Sequence, residues 1–191
     1  TTLSFGNVLT SALGTGKPLA LTSLGSSTTA LASGDLVING YTVGASLSTD
    51  DTTSYASNSG SAIAKVAAIN RITSSSNVVA VAGNTDVAGS AQSTSGTGTA
   101  GTITINGTAI SVTLAAANDY ATNRTAVVTA INQNTGITGV TAVDNGSSAR
   151  GVSLTASDGR NITIAFDGTN LTANNTGVAT VDTGILGIKK R

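Results

Sequence analysis

Apolar and polar residues alternate in short runs along most of this chain, and at two places the spacing changes to three and four. Leu36 and Ile38 alternate up to Asn39-Gly40, after which Tyr41-Thr42-Val43 resumes the run. Further on, Ile103 and Ile105 lead into Asn106-Gly107, and Ile110, Val112 and Leu114 continue beyond it. Asn-Gly favours a two-residue type I′ turn, because both central residues need positive φ and the turn's twist matches that of its strands. The pattern therefore predicts β-hairpins over 35–45 and 102–114.

Each hairpin is followed by a polar loop and a segment of helical period. Val66 and Ile69 share one side of a helix predicted over 61–72, ending in Ala68-Ile69-Asn70. Val128 and Ile131 do the same over 121–133, ending in Ala130-Ile131-Asn132. Ala62 and Val127 widen the two stripes. The second helix is weak by propensity, with Thr125, Val127, Val128 and Thr129, and needs tertiary packing. β-prone stretches follow at Asn77–Val81 and Ile137–Val143. Ile38 and Ile105 are 67 positions apart, whereas Ile69 and Ile131 are 62 apart, which implies five extra residues in the first copy within Ser48–Gly60. A hairpin–helix–strand unit thus occurs twice.

Beyond the second copy, alternating runs around Asp158-Gly159 predict a third hairpin over 151–166. Gly89–Gly101 is rich in Gly, Ser and Thr and reads as a flexible connection. The expected fold is α+β: two hairpin-rich antiparallel β lobes, residues 1–95 and 96–191, each with a short helix packed on its sheet. Ile38, Val66, Ile69, Ile105, Val128 and Ile131 are the expected core. The ends, Thr1–Ser33 and Thr176–Ile188, match neither copy, and their mutual pairing would bring the termini together.

Composition narrows the chemistry. The 191 residues include no His, Cys, Met or Trp, and no Glu; charged residues make up 9 % and aromatic residues 3 %. Zinc fingers, Ser-His-Asp and Cys-His nucleophile systems, His-ligated haem and disulfides are excluded. Nine acids balance nine bases, the one basic cluster being Lys189-Lys190-Arg191, so no positive field draws in nucleic acid. No apolar run is long enough to cross a membrane. The chain opens at Thr1 with no signal-peptide pattern, which suits a piece of a longer protein.

The remaining constellations have simpler readings than catalysis. Asp50-Asp51 reads as a solvated loop, since calcium needs six to eight ordered oxygens. Asp144-Asn145-Gly146, Asp158-Gly159 and Asp167-Gly168 read as turns. Ser61 and Lys65 are four apart, not the three of a Ser-x-x-Lys motif, and Ser61 suits the helix start. Gly14-Thr15-Gly16-Lys17-Pro18 lacks the P-loop pattern because Ser11 and Pro18 stand at its fixed positions. Sequons begin at Asn106, Asn123, Asn145, Asn161, Asn170 and Asn174, but O-linked modification of Ser46–Ser61 and Ser90–Thr99 is the better expectation. No catalytic, cofactor-binding or metal-binding residue is assigned, no cofactor is expected, and the chain is not read as an enzyme.

The two Ile-Asn-Gly hairpins, each followed by a helix ending Ala-Ile-Asn, resemble the IN motif in the central variable region of bacterial flagellins and hook-associated flagellar proteins. Ser61–Asn70 resembles the helix of that motif, and Leu154–Ile162 resembles a stretch that often follows it. The likeness spans Gly34–Val81 and Gly101–Phe166. It implies a structural, extracellular domain on the outside of the bacterial flagellum, secreted and associated with motility, with possible glycan display. The long terminal helices that polymerise flagellin are not in this sequence, so the chain is not expected to build filaments alone. Neighbouring flagellin subunits, reached through the parent protein's terminal helices, and host or environmental surfaces are the expected partners. Nucleic acid and membrane are not expected, and the isolated domain is expected to be monomeric. Two rivals stand beside this reading. One is the outer domain of a hook–filament junction or filament cap protein. The other is a carbohydrate-binding or adhesive module, for which only Tyr41, Tyr55, Tyr120, Phe5 and Phe166 could stack on sugars.

Overall fold

A computed structural model describes residues 29–94, 98, 100–115 and 119–179. The fold is α+β, and among the described residues it is built from three small antiparallel sheets and short helices. The first hairpin pairs β1 (Val37–Ile38) with β2 (Tyr41–Thr42). The second pairs β4 (Ala100–Ile105) with β5 (Thr108–Thr113) over six residues each. Both turns form as their sequence requires: φ is 51° and 85° at Asn39 and Gly40, and 47° and 77° at Asn106 and Gly107. Alternation in the second hairpin sends Ile103, Ile105, Ile110, Val112 and Leu114 into the core.

Helix α1 (Ala62–Asn70) starts where Ser61 accepts a hydrogen bond from the Ala64 N–H, an N-cap that satisfies one of the orphan donors of the first turn. Helix α3 (Tyr120–Gln133) is capped the same way by Asp119, through the Thr122 N–H. The face α1 buries differs from the one expected, whereas that of α3 is largely the expected one. Ala64 and Ala68 are the buried positions of α1, while Val66 and Ile69 are half-buried. In α3, Asn123, Arg124, Val127 and Ile131 are buried, and Val128 packs at the margin of the core. α1 packs on the 3₁₀ turns at Ser48–Asp50 and Asn58–Gly60, and its buried positions are small. Ile38 is likewise half-buried, and only Ile105 and Ile131 of the six expected core residues are fully enclosed.

Single-turn helices follow each long one: α2 (Thr73–Ser76) and α4 (Thr135–Thr138). Ile137 was expected in a strand but lies in α4, because the Gly139 N–H closes that turn on the Thr135 carbonyl at 2.8 Å with Gly139 at φ 71°. The strand of the second copy, β6 (Thr141–Asp144), begins only after this turn. In the first copy, the Asn77–Val81 stretch forms no strand; the nearest one is β3 (Thr85–Val87).

The hairpin expected over 151–166 does not form. β7 (Val152–Ala156) is the centre of a sheet ordered β3-β7-β6, so both its edges are occupied. After the Asp158-Gly159 turn, the chain crosses to the free edge of β4, where β8 (Ile164–Phe166) pairs. β3, which precedes the expected lobe boundary at 95/96, thus completes a sheet with strands that follow it. The expected flexible connection is tied at its start: the Ser90 N–H donates to Gly177, Gln92 to Ser148 and Ser93 to Asn174. A last single-turn helix, α5 (Ala173–Thr176), lies against α3. The core collects beneath α3, between it and the sheets of β4–β5 and β6–β7. The proposed pairing of 1–33 with 176–188 falls mostly outside the described residues, as do Phe5 and Gly14–Pro18.

Candidate functional site

The Ala-Ile-Asn ending that repeats in the sequence proves to be a backbone clamp. In the second copy, the Asn132 Nδ2 donates to the Ala142 carbonyl at 3.0 Å, and its Oδ1 accepts from the Ala142 N–H at 2.7 Å. In the first, Asn70 grips Ala80 in the same two-bond ring, at 3.0 and 2.8 Å. One edge of the outgoing segment is thereby closed by a side chain, which blocks pairing with another strand there. The turn asparagines couple each hairpin to the following single-turn helix: Asn39 Nδ2 donates to the Ser76 carbonyl and Asn106 Nδ2 to the Thr138 carbonyl.

The single-turn helices form a third recurrent device, which the sequence reading missed. In each, a hydroxyl accepts the N–H of a valine two positions on: Ser76 from Val78, Thr138 from Val140, Thr176 from Val178. The intervening residue is left-handed: Asn77, Gly139 or Gly177. A Ser/Thr–Asn/Gly–Val triplet at all three places was the available signal. α5 therefore carries the closing turn of the unit a third time, without its hairpin.

The extra residues of the first copy do more than fill a loop. Ser54 Oγ accepts from the Asn161 N–H at 2.9 Å, the Asn161 amide donates to the Ala56 carbonyl at 3.0 Å, and the Tyr55 ring lies over Gly107. The segment that distinguishes the first copy docks it on the second. A buried polar network adds a further tie. Arg124 donates from Nε to Asp144 at 2.6 Å and from Nη1 to the Gln92 side chain at 2.9 Å; Gln92 in turn donates to the Asn175 carbonyl. With Arg124 only 5 % exposed, these partners satisfy a charge that burial would otherwise penalise heavily.

The acidic residues serve backbone geometry. Asp50 is paired with Arg71, and its carboxyl is held below its ordinary value by that side-chain contact and by the Leu47 N–H. Asp51 was read as solvated, but it is 1 % exposed; its Oδ1 accepts from Thr53 and Ser54 N–H groups and folds the loop around itself. Burial opposes its charge, and hydrogen bonds, those from the Ser54 and Thr53 N–H groups among them, outweigh that and lower its pKa. Asp144 engages Arg124 and the Gly146 N–H, while Asp158 engages Arg160. Asp167 gathers the N–H groups of Leu171, Thr102, Asn170 and Thr169, which lower its pKa to about 2. Among the described residues no three acids come together as metal ligands. Ser61 both caps α1 and donates to the Asn58 carbonyl, while burial lowers the pKa of Lys65.

Modification sites sort by exposure. Of the six sequon asparagines, Asn123 and Asn161 are buried, Asn106, Asn145 and Asn170 are half-buried, and Asn174 is exposed. In Ser46–Ser61, the hydroxyls of Ser46, Ser54 and Ser61 are buried, whereas Ser48, Thr49, Thr52, Thr53 and Ser57 face solvent. Tyr41 and Tyr55 are exposed, while Tyr120 and Phe166 are half-buried. No helix among the described residues is long and apolar enough to cross a membrane. No protein-family model and no curated protein matches the chain.

Proposed function

We propose that the chain is a structural, surface-exposed outer domain of a bacterial flagellar filament protein, one that does not itself polymerise. The observation that carries this reading is the repetition of an Ile-Asn-Gly hairpin and an Ala-Ile-Asn helix, in the order of the flagellin IN motif. The matching hydrogen bonds of Asn39 with Ser76 and Asn106 with Thr138, and of Asn70 with Ala80 and Asn132 with Ala142, support treating the two copies as one motif. In this role the residues build a scaffold that carries exposed hydroxyls, notably Ser48, Thr49, Thr52, Thr53 and Ser57, for display of attached sugar. Contacts with neighbouring subunits run through the parent protein's terminal helices, as the resemblance implies.

Immunogold microscopy of the source cells with an antibody to this domain tests the proposal. Label along the whole filament is the expected result. Label confined to the base or tip selects the junction or cap protein, and label on the cell body beside bare filaments overturns the flagellar reading.

A further inference from the structure

Three Asn-Gly pairs occur among the described residues, and their surroundings differ in ways that bear on their chemistry. At Asn106-Gly107 both ends of the side chain are held: Nδ2 donates to the Thr138 carbonyl at 2.9 Å, and Oδ1 accepts from the Thr163 N–H at 2.9 Å. The Asn106 N–H also donates to the Thr163 carbonyl, Tyr55 covers Gly107, and six-residue strands flank the turn. At Asn145-Gly146 the Gly146 N–H is engaged by Asp144 Oδ1 at 2.8 Å, and the Asn145 side chain bonds Arg150 and Ser153. Asn39-Gly40 has only part of this protection. Both residues are exposed, the strands on either side are two residues long, and among the described residues the side chain is held only through Nδ2 to Ser76.

We propose that Asn39-Gly40 is a spontaneous deamidation site, and that its conversion uncouples the first hairpin from α2. The reaction needs the Gly40 amide nitrogen to reach Asn39 Cγ. Glycine offers no side chain to obstruct that approach, and the short hairpin opens locally to permit it. The Gly40 N–Cγ bond forms, the Cγ–Nδ2 bond breaks, and Nδ2 leaves as ammonia with the amide proton. Water then adds to either carbonyl of the cyclic imide, giving an aspartyl or an isoaspartyl linkage at position 39. The aspartyl product has a carboxylate oxygen where the Nδ2 donor faced the Ser76 carbonyl, so the 2.8 Å hydrogen bond is lost and two oxygens repel; in the isoaspartyl product Cγ becomes the main-chain carbonyl, and the donor is lost as well. The isoaspartyl form also inserts a methylene into a turn whose geometry depends on having two residues.

Incubation of the full chain at mildly alkaline pH, followed by peptide mapping and enzymatic isoaspartate labelling, tests the first part. Conversion at Asn39 is expected to run about tenfold or more ahead of that at Asn106 and Asn145, because the latter need larger openings. Equal or faster conversion at either of those positions overturns the assignment. So does an unreacted Asn39 over a time in which the unfolded chain converts. The Asn39→Asp variant tests the second part without waiting for the reaction. It should speed amide exchange at Ser76 and Asn77 while leaving Ile103 unchanged; unaltered exchange in α2 overturns the coupling.

Discussion

Asn132 holds Ala142 by both of its backbone polar groups, and Asn70 holds Ala80 identically, 62 positions earlier in the chain. The surroundings of the two clamps differ. Ala142 is 3 % exposed and its strand is paired on the other edge with β7, whereas Val79 and Val81 beside Ala80 are 69 % and 83 % exposed. The same side-chain device therefore closes a core strand in one copy and steadies a surface segment in the other.

Replacing Asn132 by Ala leaves a buried Ala142 N–H without its partner, which costs about 1–3 kcal/mol. The Asn70→Ala change lets water replace the lost bonds and should cost about 1 kcal/mol or less. Urea unfolding of the two variants measures the difference, and equal losses would contradict the distinction.

Ile131, on the inner face of α3, is fully enclosed, so Ile131→Ala should destabilise by about 2–5 kcal/mol through lost burial and the cavity left behind. Val66→Ala, at a half-buried position of α1, should cost about 1 kcal/mol. A melting curve unchanged by the first substitution would remove Ile131 from the core.

Gly40 and Gly107 both have positive φ, but only at Gly107 would an added Cβ meet the Tyr55 ring. Valine at position 40 therefore introduces backbone strain alone, while Gly107→Val adds a steric conflict and displaces the loop that joins the copies. The Gly107 variant should have the lower melting temperature, and Tyr55→Ala in the same chain should recover part of the loss.

The four N–H groups around Asp167 favour its ionised form, lowering its folded pKa to about 2 from an ordinary value of 3.8. A depressed pKa means stability that is present above pH 3.8 and is lost as pH falls toward 2. Acid unfolding followed by circular dichroism should show a shallower decline over that interval for Asp167→Asn than for the unchanged chain. Parallel curves would show that this carboxylate does not contribute to acid sensitivity.

The sequence by itself determined the local devices. Both Asn-Gly turns, the alternation of Ile103, Ile105, Ile110, Val112 and Leu114, the cap at Ser61 and the doubling of the unit depend on φ preferences and side-chain period, which neighbouring residues decide. Tertiary structure alone decided which strands pair. Asp158-Gly159 turns the chain as its residues require, yet β8 joins β4, because β3 and β6 already occupy both edges of β7. It also decided that Ala64 and Ala68 rather than Val66 and Ile69 face inward in α1, since the closeness of the 3₁₀ turns, not hydrophobicity, selects that face. Arg124, Gln92 and Asp144 meet across 20 to 52 positions of sequence, and the role of Asn132 depends on a strand that comes ten residues later. A polar residue's partner is set by where the fold brings other chain segments, and no local pattern carries that information.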